Sequence, residues 1–270
     1  KSLEDPRSMA GEGAIGKGRV EDTYRNYERV YTNQLLRVNK AFGDHYINAV
    51  VGYEWNEINT KWNRSSATGI PAGFIVQEAA ANPEAAVGGQ QSEAVQSYLA
   101  NVNYTYSDRY VGQVSFRRDG ASNFGPDNRY GNFYSISAGW NIHNESFFKA
   151  KDVINNLKLR ASYGSQGKRP DAAYGHLYLY NTGLNQSYNG ETGVIISGYM
   201  GNRDLRWEKT FTADFGLEMS LFNRVDISFD YYHKNVSDLL YEVDLPAFSG
   251  QNKSYQNAGK LVNQGIEASI

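Results

Sequence analysis

The strongest constraint on this chain is the segment 207–222, where apolar and polar residues alternate for 16 positions. Trp207, Phe211, Ala213, Phe215, Leu217, Met219 and Leu221 share one parity, with Lys209 as the exception. Glu208, Thr210, Thr212, Asp214, Glu218 and Ser220 share the other. Successive side chains of a strand point to opposite faces, so this period reads as a β-strand with one apolar and one polar face. Ordinary strands average about 5–6 residues, whereas this one would reach about 50 Å at about 3.3 Å per residue. Even tilted at about 40°, it exceeds the roughly 25 Å apolar band of a transmembrane β-barrel. A sandwich with one wet face alternates in the same way, but a compact sandwich has little use for a strand of that length. The segment 133–142 repeats the pattern, with Tyr134, Ile136, Ala138, Trp140 and Ile142 set against Ser135, Ser137, Gly139 and Asn141.

Eight such segments are expected, at about 28–42, 45–58, 95–106, 110–119, 133–142, 156–165, 207–222 and 224–237, with a ninth beginning near Gln264. Their connections alternate short and long. Gly43-Asp44, Ser107–Arg109 and Asn223 are short; 59–94, 120–132, 166–206 and 238–263 are long; 143–155 is ambiguous. An up-and-down transmembrane barrel has this parity, with short turns on one rim and long loops on the other. Greek-key sandwiches have no reason to keep it. Phe42, Tyr104, Tyr106, Tyr110, Trp140 and Phe222 cluster by the short turns, and Trp55 and Trp207 by the long loops, as amphipathic rings do at a membrane–water boundary. Nine antiparallel strands cannot close, because the first and last point the same way, and an open edge is not viable in lipid. The expected fold is therefore all-β: part of a larger antiparallel up-and-down transmembrane barrel spanning 1–270, with further strands outside the chain.

Composition narrows the function. No run of about 18 apolar residues exists, which excludes a helical membrane bundle. Lys+Arg is 27 against Asp+Glu 29, a balance that favours no nucleic-acid partner. Cysteine is absent, so thiolate metal sites and Cys nucleophiles are excluded. His45, His143, His176 and His233 show no metal-ligand spacing, and no cofactor is expected. G-x-S-x-G and H-E-x-x-H are both missing. Glu208, Asp214, Glu218, Asp226 and Asp230 invite a glycosidase reading, but their shared parity fits one wetted barrel wall better. GEGAIGKG at 11–18 lacks phosphate-loop spacing, and FGPDNRYG at 124–131 reads as a turn held by Asn and Asp side chains.

Facing follows from parity. Tyr134, Ile136, Ala138, Phe211, Phe215 and Leu217 are expected to face lipid. Ser135, Ser137, Arg117, Thr212, Asp214 and Glu218 are expected to face the lumen. Arg118 falls on the lipid side, which is cheap only near a rim. Candidate ligand contacts are the loop aromatics Trp62, Phe74, Tyr174, Tyr178, Tyr180, Tyr188 and Tyr199, since rings stack on apolar sugar faces.

Three patches carry a resemblance to a known family: Ser97–Gly167 with FRRDGASNFGPDNRYG, 205–240 with its Trp-Glu-Lys-Thr run, and YQNAGKLVNQGIE at 255–267. With the hairpin at 39–55, they resemble the SusC/RagA family of TonB-linked outer-membrane transporters. The resemblance implies a 22-stranded barrel around a plug, importing glycans or peptides. It also implies two partners, TonB and a SusD-like surface lipoprotein that caps the barrel. Signal peptide, TonB box, plug and terminal barrel strand are not in these 270 residues. A siderophore or vitamin receptor of the same architecture and a soluble carbohydrate-binding sandwich are the alternatives.

Overall fold

A computed structural model describes residues 2–4 and 18–270, the side chains of 2–4 and 183–188 excepted. The Gly-rich stretch at 11–18 thus lies, Gly18 apart, outside the described residues. The strands are β1 (Ser2–Glu4), β2 (Arg19–Phe42), β3 (His45–Thr68), β4 (Asn82–Tyr106), β5 (Tyr110–Ala121), β6 (Tyr130–Asn141), β7 (Ile154–Lys168), β8 (Tyr180–Tyr188), β9 (Glu191–Ile196), β10 (Tyr199–Met200), β11 (Glu208–Leu221), β12 (Val225–Ser237), β13 (Leu240–Asp244), β14 (Lys253–Asn257) and β15 (Lys260–Ser269). One sheet runs β1-β2-β3-β4-β5-β6-β7-β11-β12-β15. Its described registers are antiparallel. Among the described residues it does not close, and β1 and β15 are its edges. The all-β meander expected from the alternation is what the chain forms.

All nine expected strands occur, and most differences lie at their ends. The loop expected at 59–94 shrinks to 69–81, because β3 continues to Thr68 and β4 starts at Asn82. The added residues, such as Asn59, Lys61, Asn63 and Ser65 against Thr60 and Arg64, are polar on both parities. Ladder pairing continues there, but the amphipathic signal that reveals a strand does not. The expected loop at 166–206 holds β8, β9 and β10, the expected loop at 238–263 holds β13 and β14, and the last long strand begins at Lys260 rather than near Gln264.

The short turns are built for twist. Arg109 N–H donates to Tyr106 O, and Arg224 N–H to Leu221 O. Both central residues of each turn, Ser107-Asp108 and Phe222-Asn223, have positive φ. Such turns match the right-handed twist of the strands they join.

The chain divides into two compact units, 1–30 with 57–93 and 31–56 with 94–270. The first has a small core of Val20, Ala67 and Ile70, packed by Ala79 and Ala80. Its 69–81 connection is tied down by Gln77, which accepts from Ser65 Oγ at 2.8 Å and donates to Ser65 O at 2.7 Å. In the second, Ala121, Phe124, Phe133, Leu205 and Trp207 form a core, joined by Val95, Leu240 and Tyr255. This core corrects one expectation. Trp207 is not a boundary ring on the face of Phe211. It lies just outside β11, buried against Phe124 and Phe133, with its indole N–H donating to Arg129 O. Trp207→Ala should cost about 3–5 kcal/mol and lower the denaturant midpoint of the barrel. An unchanged midpoint would show that this core does not hold the loops.

Candidate functional site

The registers sort the second unit into rows that can be followed across six strands. Gln113, Ser137, Ser162, Asp214, Tyr232 and Gly265 are successive partners, as are Val111, Gly139, Arg160, Gly216, Asp230 and Glu267. The intervening row is Gly112, Ala138, Ala161, Phe215, Tyr231 and Ile266. Directly opposed residues share a face, so one face is polar and the other apolar. Thr212, Asp214 and Glu218 stand on the polar face, Asp214 and Glu218 beside Arg160. Arg117 stands on the same face, in the row of Phe133.

Arg160 is the centre of that face. Its Nη1 donates to Asp214 Oδ1 at 2.8 Å, and its Nη2 donates to Asp230 Oδ1. Its Nε stands 3.1 Å from Glu218 Oε1 without the alignment of a hydrogen bond. Lys158 Nζ reaches Glu218 Oε2 at 3.5 Å. The guanidinium gets to Asp230 by crossing Gly216: a Cβ there would fall 2.5 Å from both Arg160 Nε and Asp230 Oδ1. Arg117 builds a second node, donating through Nε to Asp119 Oδ1 at 2.6 Å and through Nη2 to Glu54 Oε2 and Ser97 Oγ, both at 2.8 Å. Arg118, on the opposite face, lies 4.9 Å from the Tyr130 ring centroid near the strand ends. Arg160 was not singled out in the sequence, although the alternation of Lys158, Arg160 and Ser162 with Leu157, Leu159 and Ala161 carries the signal of a polar face. Which carboxylates it pairs with is not legible from that alternation.

At the short-turn end, Phe42, His45, Tyr106, Tyr110, Trp140 and Phe147 form a chain of ring contacts, with Tyr104 stacked on His45. Glu145 anchors it. Its Oε1 accepts from Tyr110 Oη at 2.7 Å and Trp140 Nε1 at 2.9 Å, and Arg109 Nη1 stands 3.3 Å from Oε2. The Tyr110 hydroxyl, then the Trp140 indole, hold this carboxyl below the usual range.

At the opposite end, the connections 169–207 and 238–259 carry a small sheet of β10, β14 and β13. Asn123 is fully buried and ties the β5–β6 connection to the first of them. Its amide donates to Pro170 O and Ala172 O at 3.2 Å, and its Oδ1 accepts from Arg169 at 2.7 Å. Its backbone O pairs with His176 Nδ1 at 3.0 Å. Tyr199 stacks on Tyr255 and donates to Glu242 Oε2 at 2.9 Å, and Lys253 binds Glu242 Oε1. Lys253, then Tyr199, lower the Glu242 pKa from its ordinary 4.5.

The aromatic ligand candidates are divided between the two units. Trp62 is a correction: it sits within β3, in the first unit, packed on Gly89 of β4 rather than in a loop. Tyr174 is half-buried, and Tyr178 and Tyr180 are exposed. Phe74 is exposed in the 69–81 connection. Tyr188 ends β8, and its side chain lies outside the described residues.

A family model for the TonB dependent receptor-like β-barrel matches residues 4–270. The TonB-dependent receptor P3 of Formosa agariphila is 34% identical over 277 residues, covering 97% of this chain and 26% of the relative. The TonB-dependent receptor SusC of Bacteroides thetaiotaomicron is 38% identical over 180 residues, 64% of this chain and 18% of the relative. A solved structure of the RagAB peptide transporter superposes with a TM-score of 0.82 at 25% identity, covering 93% of this chain and 28% of that one. The chain thus spans about a quarter of P3 and of the RagAB chain.

Two outcomes test this geometry. Gly216→Ala should break the Arg160–Asp230 pair and cost about 1–3 kcal/mol, seen as a lower denaturant midpoint; a neutral result would mean that Arg160 does not cross Gly216. Glu242 has a lowered folded pKa, so its pairing contributes fully above the ordinary 4.5 and is lost as pH falls through the lower value. Amide exchange in β13 and β14 should accelerate only in that acid window, and Glu242→Gln should abolish the step.

Proposed function

Because this chain belongs to the TonB-dependent receptor β-barrel family, we propose that it is a wall segment of an outer-membrane importer of oligomeric nutrients, glycans or peptides. The chain is part of an outer-membrane barrel, and the family is one of receptors and transporters, not of enzymes. The observation that carries the reading is the separation of chemistry between the two faces. Phe215 is 59% exposed, Ile136 55% and Ile266 66%, and all three lie on one face. A groove of about 530 Å³ lined by Ala138, Trp140, Leu159, Ala161, Phe215 and Phe229, among others, runs on that side. In water such a surface is a liability; against acyl chains it is the stable arrangement. The opposite face holds Thr212 and the charged Arg117, Asp214 and Glu218, whose charges are expensive in lipid and cheap beside water or a plug.

In this reading the apolar rows face lipid and the polar rows face the lumen. The ring belt at the short turns sits at the periplasmic boundary. The long connections, with Tyr174, Tyr178, Tyr180 and Tyr188 among them, lie outside the cell. The plug that TonB pulls, the remaining strands and a SusD-like lipoprotein lid belong to the rest of the assembly. Likeness to SusC and to the RagAB peptide transporter supports oligomeric cargo over an iron chelate.

The facing is tested by cysteine accessibility in the full-length barrel with its plug removed. Cys at 212, 214 and 218 should react with a polar maleimide at least about tenfold faster than Cys at 211, 215 and 217, since the latter set is screened by lipid. Equal rates, or the inverse order, would reject the transmembrane assignment. Uptake that delivers an iron chelate and neither glycan nor peptide would replace the cargo class.

A further inference from the structure

In the second unit, a cavity of about 520 Å³ opens between the 169–207 connection and the small sheet of β10 and β14. Its walls include Tyr178, Met200, Arg203, Asp204, Arg206 and Gln256. Two asparagines frame it and are committed to the fold. Asn202 donates to Tyr255 O at 2.8 Å and accepts from Asp204 N–H at 3.0 Å. Asn257 donates to Arg206 O and Asp238 O and accepts from Arg206 N–H at 2.9 Å. Arg206 itself is paired with Asp238 at 2.8 Å.

Arg203 and Asp204 differ. Both are exposed on the cavity, and neither side chain has a hydrogen-bond or ion-pair partner among the described residues. The backbone that carries them is fixed. Leu205 N–H closes a turn onto Asn202 O at 3.2 Å, Asn202 N–H donates to Gly175 O at 3.0 Å, and Leu205 is fully buried. Arg203 O lies so close to Gly125 that a Cβ there would sit 2.8 Å from it. A guanidinium held on a rigid turn, beside a ring and a free amide, is organised to receive a planar anion in two parallel bonds.

Resting on the importer reading above, we propose that this cavity is a ligand subsite that takes a carboxylate-bearing end or branch of the cargo on Arg203. Tyr178 covers an apolar face of that unit, Asp204 accepts from neighbouring hydroxyl or ammonium groups, and Gln256 donates to or accepts from hydroxyls. The carboxylate belongs either to a uronic acid or to the C-terminus of a peptide, and both present the same anion to Arg203.

The test is titration calorimetry on the full-length transporter in detergent. One pair of probes is trigalacturonate and its methyl ester. The other is an alanine tripeptide with a free or an amidated C-terminus. At least one acid should bind about tenfold or more tighter than its neutral twin, as one charge-assisted hydrogen-bonded pair predicts. Arg203→Ala should erase that preference, Arg203→Lys should retain part of it, and 0.5 M salt should weaken it. The arm showing the preference names the source of the carboxylate. Equal binding of acid and neutral twin in both arms, binding of no probe, or a preference that survives Arg203→Ala would overturn the subsite. Gel migration of unheated against heated protein confirms that each variant barrel is folded. If the preference fails in calorimetry while TonB-dependent uptake continues, the subsite falls and the importer reading stands; a failed facing assay would remove the importer reading whatever Arg203 does.

Discussion

Everything in this chain depends on a backbone that must pair continuously from strand to strand. In hydrocarbon there is no water to satisfy an N–H or C=O, and each orphan costs several kcal/mol. An antiparallel ladder removes that cost at every residue. Once the ladder is set, its period of two leaves the side chains a single choice: which parity carries the charge. Asp214 and Phe215 are consecutive, and a one-residue slip would exchange their surroundings along with those of every other residue on the strand. Register is therefore held by the sum of both faces rather than by any one contact.

Within that frame, the polar face gains order from what is missing as much as from what is present. Gly216 leaves room for Arg160 to span β11, meeting Asp214 on that strand and Asp230 on β12 beyond it. These pairs are part-exposed, and each contributes modestly to stability. Their larger effect is to fix three strands relative to one another by charge and shape. Glu145 does comparable work at the short-turn end, holding Tyr110 and Trp140 by their polar tips while the ring bodies remain on the belt.

The long connections follow a different logic. They are not loose, because the core around Phe124, Phe133 and Trp207 and the buried amide of Asn123 bind three of them together. That anchoring makes a recognition surface above a barrel workable: a turn such as 202–205 can present Arg203 at a fixed place only if its backbone cannot drift. Loops positioned by a rigid scaffold commonly carry binding functions for this reason.

The sequence by itself determined the nine long strands, the parity of Thr212, Asp214 and Glu218 against Phe211 and Phe215, and the end on which the short turns and their rings gather. All of these are properties of one strand read in isolation, and a period of two is visible without knowing any neighbour. The true ends of β2, β3 and β4 were hidden because their outer residues do not alternate between polar and apolar, so no contrast marks a strand that pairing alone maintains. The partners of Arg160, the burial of Trp207, the role of Asn123 and the cavity beside Arg203 were likewise out of reach. Each joins residues far apart in the chain, as Asn123 joins Pro170 and Asn202 joins Tyr255. Only the tertiary structure decided them, because hydrogen bonding and packing depend on which segments meet, and that is fixed by strand order and loop path rather than by any local pattern.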